Sequence, residues 1–292
     1  MKLLITGGSG FIGRNLAEQF RASCDVAAPG RAELDLLDAE AVRDYLERQR
    51  FDAVIHAATE RSNRAVNGAP DLVERNCRMF FNLARNSHAF GRMLFLSSGA
   101  VYDRAHWRPR MPEEYFDTYV PADGYGFSKY LCARALADLE RVCELRLFGV
   151  FGPHEDWRVR FLSNACCRAV WDLPVVIRQD VCFDYLDVAD LGRILSCFLV
   201  KNLRRRQYNI CTGQALHLTD LAERVLAVSG KRIGVQIRNS GLAVEYSGDN
   251  RLMLSEIPGF QFRGVDESIA CLYRWYEGRK AAIDPDLLHF DE

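Results

Sequence analysis

Short apolar runs alternate with amphipathic segments through the first half of the chain. "KLLIT" (Lys2 to Thr6) is a β-rich run that stops at glycines, and "RNLAEQFRA" after it carries apolar residues at helical spacing. That pair predicts a strand, a tight turn and a helix. The alternation continues with a strand "DVAAP" from Asp25, a helix from Asp38, a strand "AVIHAA" from Ala53, a helix from Asp71 and a strand "MLFLSS" from Met93. A further helix is expected near Gly124, and "ELRLFGVFG" from Glu144 reads as the next strand. Strands that alternate with helices predict an α/β fold built on a doubly wound parallel sheet.

Beyond Pro153 the regular alternation stops. "RFLSNACCRAVWD" reads as helix, "VVIRQ" as strand, and "LTDLAERVLAVSG" from Leu218 as a helix with Thr219 as N-cap and Gly230 as stop. The expected organisation is a first domain over 1–155 with a returning segment at about 183–212, and a smaller C-terminal lobe from 156–182 and 213–292. The polar ending "RKAAIDPDLLHFDE" is expected to be loosely held.

Composition narrows the partners. With 292 residues, 49% apolar, the chain is large enough for one big core and a lesser one. A net charge of −1 without a long basic run argues against a nucleic-acid partner, and Arg204-Arg205-Arg206 reads as a solvated turn. The apolar start ends at Gly7, too short for a signal or membrane-spanning segment, so no membrane contact and a cytoplasmic location are expected. The ten cysteines show no CxxC spacing and no His/Cys cluster suited to a metal; they read as reduced, mostly buried thiols.

Two motifs carry chemistry. "TGGSGFIG" puts Gly7, Gly10 and Gly13 between the first strand and the first helix, where glycines allow a tight turn and close approach of the backbone to a pyrophosphate at a helix N-terminus. This is a dinucleotide-binding turn. Just past the second strand stands Arg31 with no carboxylate before it, which favours NADP(H) over NAD(H) because a guanidinium pairs with a 2′-phosphate; NAD(H) stays open. Asp35 and Leu36 follow, placed to meet the adenine edge. The second motif, "YGFSK", sets Tyr125 and Lys129 one helical turn apart on one face.

Together with "DLLD" at Asp35, "IHAA" at Ile55, Asn76, "LSSGAVY" at Leu96, "RLFGVFGP" at Arg146 and "FDYLDVADL" at Phe183, in that order, these motifs resemble the extended short-chain dehydrogenase/reductases. The resemblance is to the NAD-dependent epimerase/dehydratase group with its Rossmann domain, and "ELDLLDAEAVRDYLERQRFDAVIHAA" and "GPHEDW" look closest to 4-keto-sugar reductases of the GDP-fucose synthase kind. It implies Tyr125 as general acid/base, Lys129 as the charge that favours the phenolate and as a ribose contact, and Ser98 as donor to the reacting oxygen, with Ser97 left to backbone support. A phenol near pKa ~10 is otherwise a poor base at neutral pH. It also brings Phe11, Ile12, Ala57, Ala58 and Asn76 into the dinucleotide site, and Ser98, Gly99, Arg160 and Arg251 to a nucleotide-sugar substrate. His154, Trp157 and Arg158 are weaker candidates, and Arg178 is as consistent with solvent as with substrate. Asp184 and Tyr185 are expected to brace the lobe junction and His56 to be a packing residue.

The residues after Ser98 narrow the reaction. The dehydratases of this group carry Asp-Glu where this chain has Gly99 and Ala100, which argues against dehydration; the cysteine and histidine that epimerise neighbouring carbons in GDP-fucose synthase also lack counterparts. The leading expectation is NADPH-dependent reduction of a nucleotide-linked 4-keto-6-deoxyhexose. The alternatives are a nucleotide-sugar 4-epimerase with tightly held NAD and a non-catalytic dinucleotide-binding sensor, the latter disfavoured by the intact Tyr125 and Lys129. The resemblance also implies a homodimer through a four-helix bundle, and "YLCARALADLERV" has apolar spacing suited to it, although a core-facing helix has the same spacing.

Overall fold

The fold was analysed in a computed structural model, which describes residues 1–60 and 71–288. Strands and helices alternate from the first residues: β1 (Lys2–Thr6), α1 (Phe11–Phe20), β2 (Asp25–Ala27), α2 (Ala39–Gln49), β3 (Phe51–His56), α3 (Leu72–Ala84), β4 (Phe90–Ser98), α4 (Gly124–Arg134) and β5 (Val142–Leu147). After β6 (Gly149–Phe151) come α5 (Phe161–Val170), β7 (Val175–Asp180), β8 (Cys182–Asp187), α6 (Val188–Val200) and β9 (Gln207–Ile210). The chain closes with β10 (Ala215–His217), α7 (Leu218–Ser229), β11 (Val235–Leu242), α8 (Arg251–Glu256) and α9 (Val265–Glu277).

Six parallel strands form the main sheet in the order β2-β1-β3-β4-β5-β9. The order in which successive strands join the sheet reverses between β1 and β3, with β2 added on one side of β1 and β3 on the other, and a doubly wound sheet opens a crevice at the carboxyl ends of the strands at that point. Successive side chains point to opposite faces, and both faces are covered. Leu3 and Ile5 pack with Leu16, Phe20, Ile194 and Phe198 from α1 and α6, while Leu4 packs with Val42, Leu46, Phe80 and Leu83 from α2 and α3. Asp38 starts α2 by accepting from the amides of Glu40 and Ala41 at 3.0 Å.

The second core joins α5, α7 and α9 to β7 through Leu162, Ile177, Leu221, Leu272 and Tyr276. "ELRLFGVFG" proves to be two strands in two sheets: β5 stays in the main sheet, and β6 pairs with β8. Gly149 permits the change, because a Cβ there would lie 2.4 Å from the Asp184 carbonyl oxygen. α8, expected in the smaller lobe, instead places Met253 in the main-sheet core, with Ile257 just past its end beside it.

Other expectations change in detail. Thr219 lies inside the first turn of α7; the cap position is His217, and the Asp180 carboxylate accepts from the Thr219 amide and hydroxyl at 3.2 Å. Gly230 ends α7 in the left-handed region, as its lack of a Cβ allows. α4 stops at Arg134, and the apolar positions Cys132, Ala133 and Leu136 are buried, Cys132 and Leu136 within the main-sheet core. The ending is not loose where it is described, since Ile283 and Leu288 are buried against the second core; residues 289–292 lie outside the described residues. No helix among the described residues is long and apolar enough to cross a membrane.

Candidate active site

The glycine turn leaves β1 at the switch point. Gly7 has φ +71°, and a Cβ on it would lie 2.8 Å from the Ala58 amide nitrogen; one on Gly13 would lie 2.2 Å from the Gly7 carbonyl oxygen. Both positions require glycine for packing. Gly10 differs, since a Cβ there meets only the Gly7 oxygen at 3.3 Å, and its remaining surroundings are open. Gly10 is also the N-cap of α1, whose first turn has neither a side-chain cap nor an acidic residue. Open space before uncapped amides at the positive end of a helix is a cradle that fits a pyrophosphate.

The other residues expected around a dinucleotide group in part. Thr6 accepts from the Ala58 amide at 3.3 Å and hydrogen-bonds His56 Nδ1 at 2.8 Å, tying β1 to the Ala57–Ala58 turn. Asn76 accepts from the Glu60 amide at 2.7 Å and donates to Ser128 at 3.2 Å, so it joins α3, α4 and the loop after β3. Phe11 and Ile12 open α1, with Ile12 packed on the core. Arg31 is exposed and pairs with Asp35 at 3.6 Å; Leu36 is buried, and its carbonyl accepts from Asn82. His56 is fully enclosed, and burial pushes its pKa down to about 3, assisted by the Lys129 charge; it is a neutral packing residue.

Ser98 ends β4, and its hydroxyl accepts from the Ala100 amide at 3.2 Å. Asp123 caps α4 by accepting from Gly126 at 2.8 Å, which aims Tyr125 and Lys129 back toward β4. The Lys129 ammonium is buried, donates to the Leu96 carbonyl at 3.3 Å, and lies 4.8 Å from the Phe95 ring centroid and 5.7 Å from that of Tyr125. It forms no ion pair among the described residues and is held instead by that carbonyl and the two rings, beside a half-buried phenol.

Sequence reasoning missed Tyr246. Its hydroxyl lies beside Ser98 and stands where a Cβ on Gly99 would approach to 2.6 Å; burial, with the neighbouring Tyr125, raises its pKa and keeps it neutral. Phe148 and Phe183 hold the ring, each with centroids 4.9 Å away. No local signal in "VEYSGDN" points to this role, since the contact is made across the lobes.

The loop after Ser98 is held by a buried network. Arg146 pairs with Glu144 at 2.9 Å and donates to the Tyr102 hydroxyl at 2.9 Å, which donates to Asn209 at 2.6 Å. Asp184, expected at the lobe junction, ties β8 to the segment after β9: it accepts from the Thr212 hydroxyl at 2.6 Å and amide at 2.9 Å, and from the Gly213 amide at 2.8 Å. Ser97 has a buried hydroxyl with no partner among the described residues rather than a supporting bond.

The expected substrate residues are not gathered at Ser98. Arg160 is exposed at the start of α5, and Arg251 turns to Asp249, lining an open cleft of about 470 Å³ with Arg108, Arg110 and Pro112. His154 is engaged by Glu18 at 3.4 Å and by the Trp275 ring, Arg158 by Asp156 at 2.8 Å, and Arg178 is exposed. All ten cysteines are free, but half are only partly buried.

A dinucleotide cradle beside a Ser, Tyr and Lys cluster at the carboxyl edge of a doubly wound sheet defines a nicotinamide-dependent enzyme of the extended short-chain dehydrogenase/reductase type. The chain belongs to the NAD dependent epimerase/dehydratase family, whose model matches residues 3–211. It is 27% identical over 260 residues to an ADP-L-glycero-D-manno-heptose-6-epimerase of Cupriavidus pinatubonensis, covering 76% of each chain. A 58-residue stretch, 20% of this chain and 19% of the other, is 53% identical to a GDP-L-fucose synthase of Azorhizobium caulinodans. Two solved structures share the fold: a GDP-L-fucose synthetase from Naegleria fowleri bound to NADP (TM-score 0.81, 17% identity, 96% and 94% covered) and a UDP-glucose 4-epimerase from Thermus thermophilus with NAD (0.78, 24%, 95% and 99%).

Proposed function

We propose that the protein reduces a nucleotide-linked 4-keto-6-deoxyhexose with NADPH. The observation that carries the reading is the buried, ion-pair-free Lys129 ammonium one turn beneath Tyr125. That charge favours transfer of the Tyr125 proton to the substrate, because it stabilises the negative charge left on the phenolic oxygen. Tyr125 hands its proton to the carbonyl oxygen as negative charge develops there, and Ser98 donates a hydrogen bond to the same oxygen. Tyr246, kept neutral by burial, lies beside the Ser98 hydroxyl. The bound dinucleotide supplies hydride exchange. The glycine turn, open at Gly10, cradles its pyrophosphate, and Arg31 meets its 2′-phosphate.

One observation favours a second reading. Asp35 already engages Arg31 at 3.6 Å, which weakens the case for a 2′-phosphate and suits a 4-epimerase that retains NAD. On either reading 1–155 with the return at about 183–212 holds dinucleotide, and the rest, apart from α8 in the main-sheet core, forms the sugar lobe. Phe81, 41% exposed on α3, and the half-buried Phe127 and Tyr130 on α4 supply an apolar face for the homodimer.

The test is loss of NADPH absorbance when purified protein meets a panel of GDP-, dTDP-, UDP- and CDP-linked 4-keto-6-deoxysugars. Stoichiometric loss that vanishes in Tyr125→Phe supports the reductase. Interconversion of ordinary nucleotide hexoses without net NADPH loss supports the epimerase and discards the reductase.

A further inference from the structure

Away from the Tyr125 cluster, three side chains stand in a line on the second lobe. Cys182 and His217 are register partners at the antiparallel edge of β8 and β10, and the Cys182 thiol lies 3.4 Å from His217 Nε2. The opposite ring nitrogen, Nδ1, is 2.9 Å from Asp180 Oδ2. Asp180 is itself fixed, because its other oxygen accepts from the Val181 amide at 3.0 Å and the Thr219 amide at 3.2 Å. A carboxylate on Nδ1 selects the tautomer with hydrogen there and turns the Nε2 lone pair toward the thiol.

Access is available at all three positions. Cys182 is only partly buried, the His217 side chain is 39% exposed, and that of Asp180 is 14% exposed. Among the described residues Cys182 is the one thiol facing an imidazole, and no group of His, Cys, Asp and Glu there could hold a metal ion. Nucleophile, base and orienting carboxylate in sequence are the parts of an activated thiol.

We propose that Cys182 is a thiolation site for low-molecular-weight disulfides, with His217 as its general base and Asp180 as the positioning residue. The Cys182 sulfur attacks one sulfur of RS–SR as its proton passes to His217 Nε2. The S–S bond breaks, the departing thiolate takes that proton, and the products are Cys182–S–SR and RSH. Cys182 is oxidised and the leaving sulfur reduced, so no further oxidant is needed. The adduct stands one residue from Phe183, which walls Tyr246. The proposal does not depend on which sugar the Tyr125 site takes.

Burial raises the pKa of Cys182, and the neighbouring carboxylates of Glu245, Asp180 and Asp220 add to it. Without a base, its thiolate therefore forms only at high pH. The experiment treats the full chain with glutathione disulfide and maps adducts by peptide mass spectrometry across pH 6.5 to 10. Cys77, whose pKa is shifted down by the neighbouring Cys132 thiol, is the internal competitor.

Cys182 is expected to be the first site modified at pH 7.5. His217→Gln and Asp180→Asn should each slow it by at least about tenfold there, while all three proteins converge at pH 10, where no base is required. A purely structural effect would persist at high pH. The melting temperature of each variant checks folding, and His217→Gln is the milder change because that side chain caps nothing. Faster modification of Cys77, or an unchanged Cys182 rate in folded His217→Gln, overturns the proposal.

Discussion

Gly10 and Gly13 separate two jobs that the glycine turn performs, and alanine at each should show it. In Gly13→Ala the new methyl would lie 2.2 Å from the Gly7 oxygen, 2.6 Å from its carbonyl carbon and 3.1 Å from the Gly8 nitrogen, all backbone atoms. Backbone cannot swing aside as a side chain does, so the turn must open. Overpacking of this kind costs about 1–3 kcal/mol. In a chain of this size that lowers the melting temperature by roughly 2–10 °C. Gly10→Ala meets one atom, at 3.3 Å, and its φ of −85° suits alanine. The free protein should lose less than about 1 kcal/mol, the difference between glycine and alanine at an N-cap. The methyl would nevertheless occupy the cradle, and dinucleotide affinity should fall at least about tenfold, or ~1.4 kcal/mol. Thermal unfolding by circular dichroism gives the first quantity and titration of NADPH fluorescence the second. The reasoning fails if Gly10→Ala binds as wild type does, or if Gly13→Ala melts at the wild-type temperature.

Two further outcomes follow from the interior. Tyr246→Phe keeps the ring against Phe148 and Phe183 but removes the hydroxyl beside Ser98, so kcat/KM should fall by about tenfold or more with little change in melting temperature; equal turnover would remove Tyr246 from the site. His56, with its pKa pushed down to about 3, stays neutral in the fold while an unfolded histidine protonates near 6.5. Its contribution to stability is therefore complete above pH 6.5 and declines as pH falls toward 3, by up to about 1.4 kcal/mol per pH unit. Urea unfolding at pH 7.5 and pH 5 should show a smaller loss in His56→Gln than in wild type, and equal losses would refute the neutral assignment.

Much of this molecule is written locally. The strands from β1 to β5, the helices between them, the glycine turn and the Tyr125–Lys129 spacing depend on side-chain period and on steric demands felt within a few residues, so they are legible in order along the chain. The resemblance to a dehydrogenase family rests on those same short motifs. What only the tertiary structure decided involves segments far apart in sequence. Leu147 ends one strand and Gly149 begins another, with Asp184 against that backbone, and apolar pattern carries no record of which sheet a strand joins. Arg251 turns from the expected substrate cleft to Asp249, since a guanidinium takes the nearest carboxylate. Tyr246 reaches Ser98, and Cys182 meets His217 and Asp180, only once the second lobe has folded around β8. Local chemistry therefore specified the dinucleotide turn and the acid/base pair, while packing between distant strands determined which groups surround them.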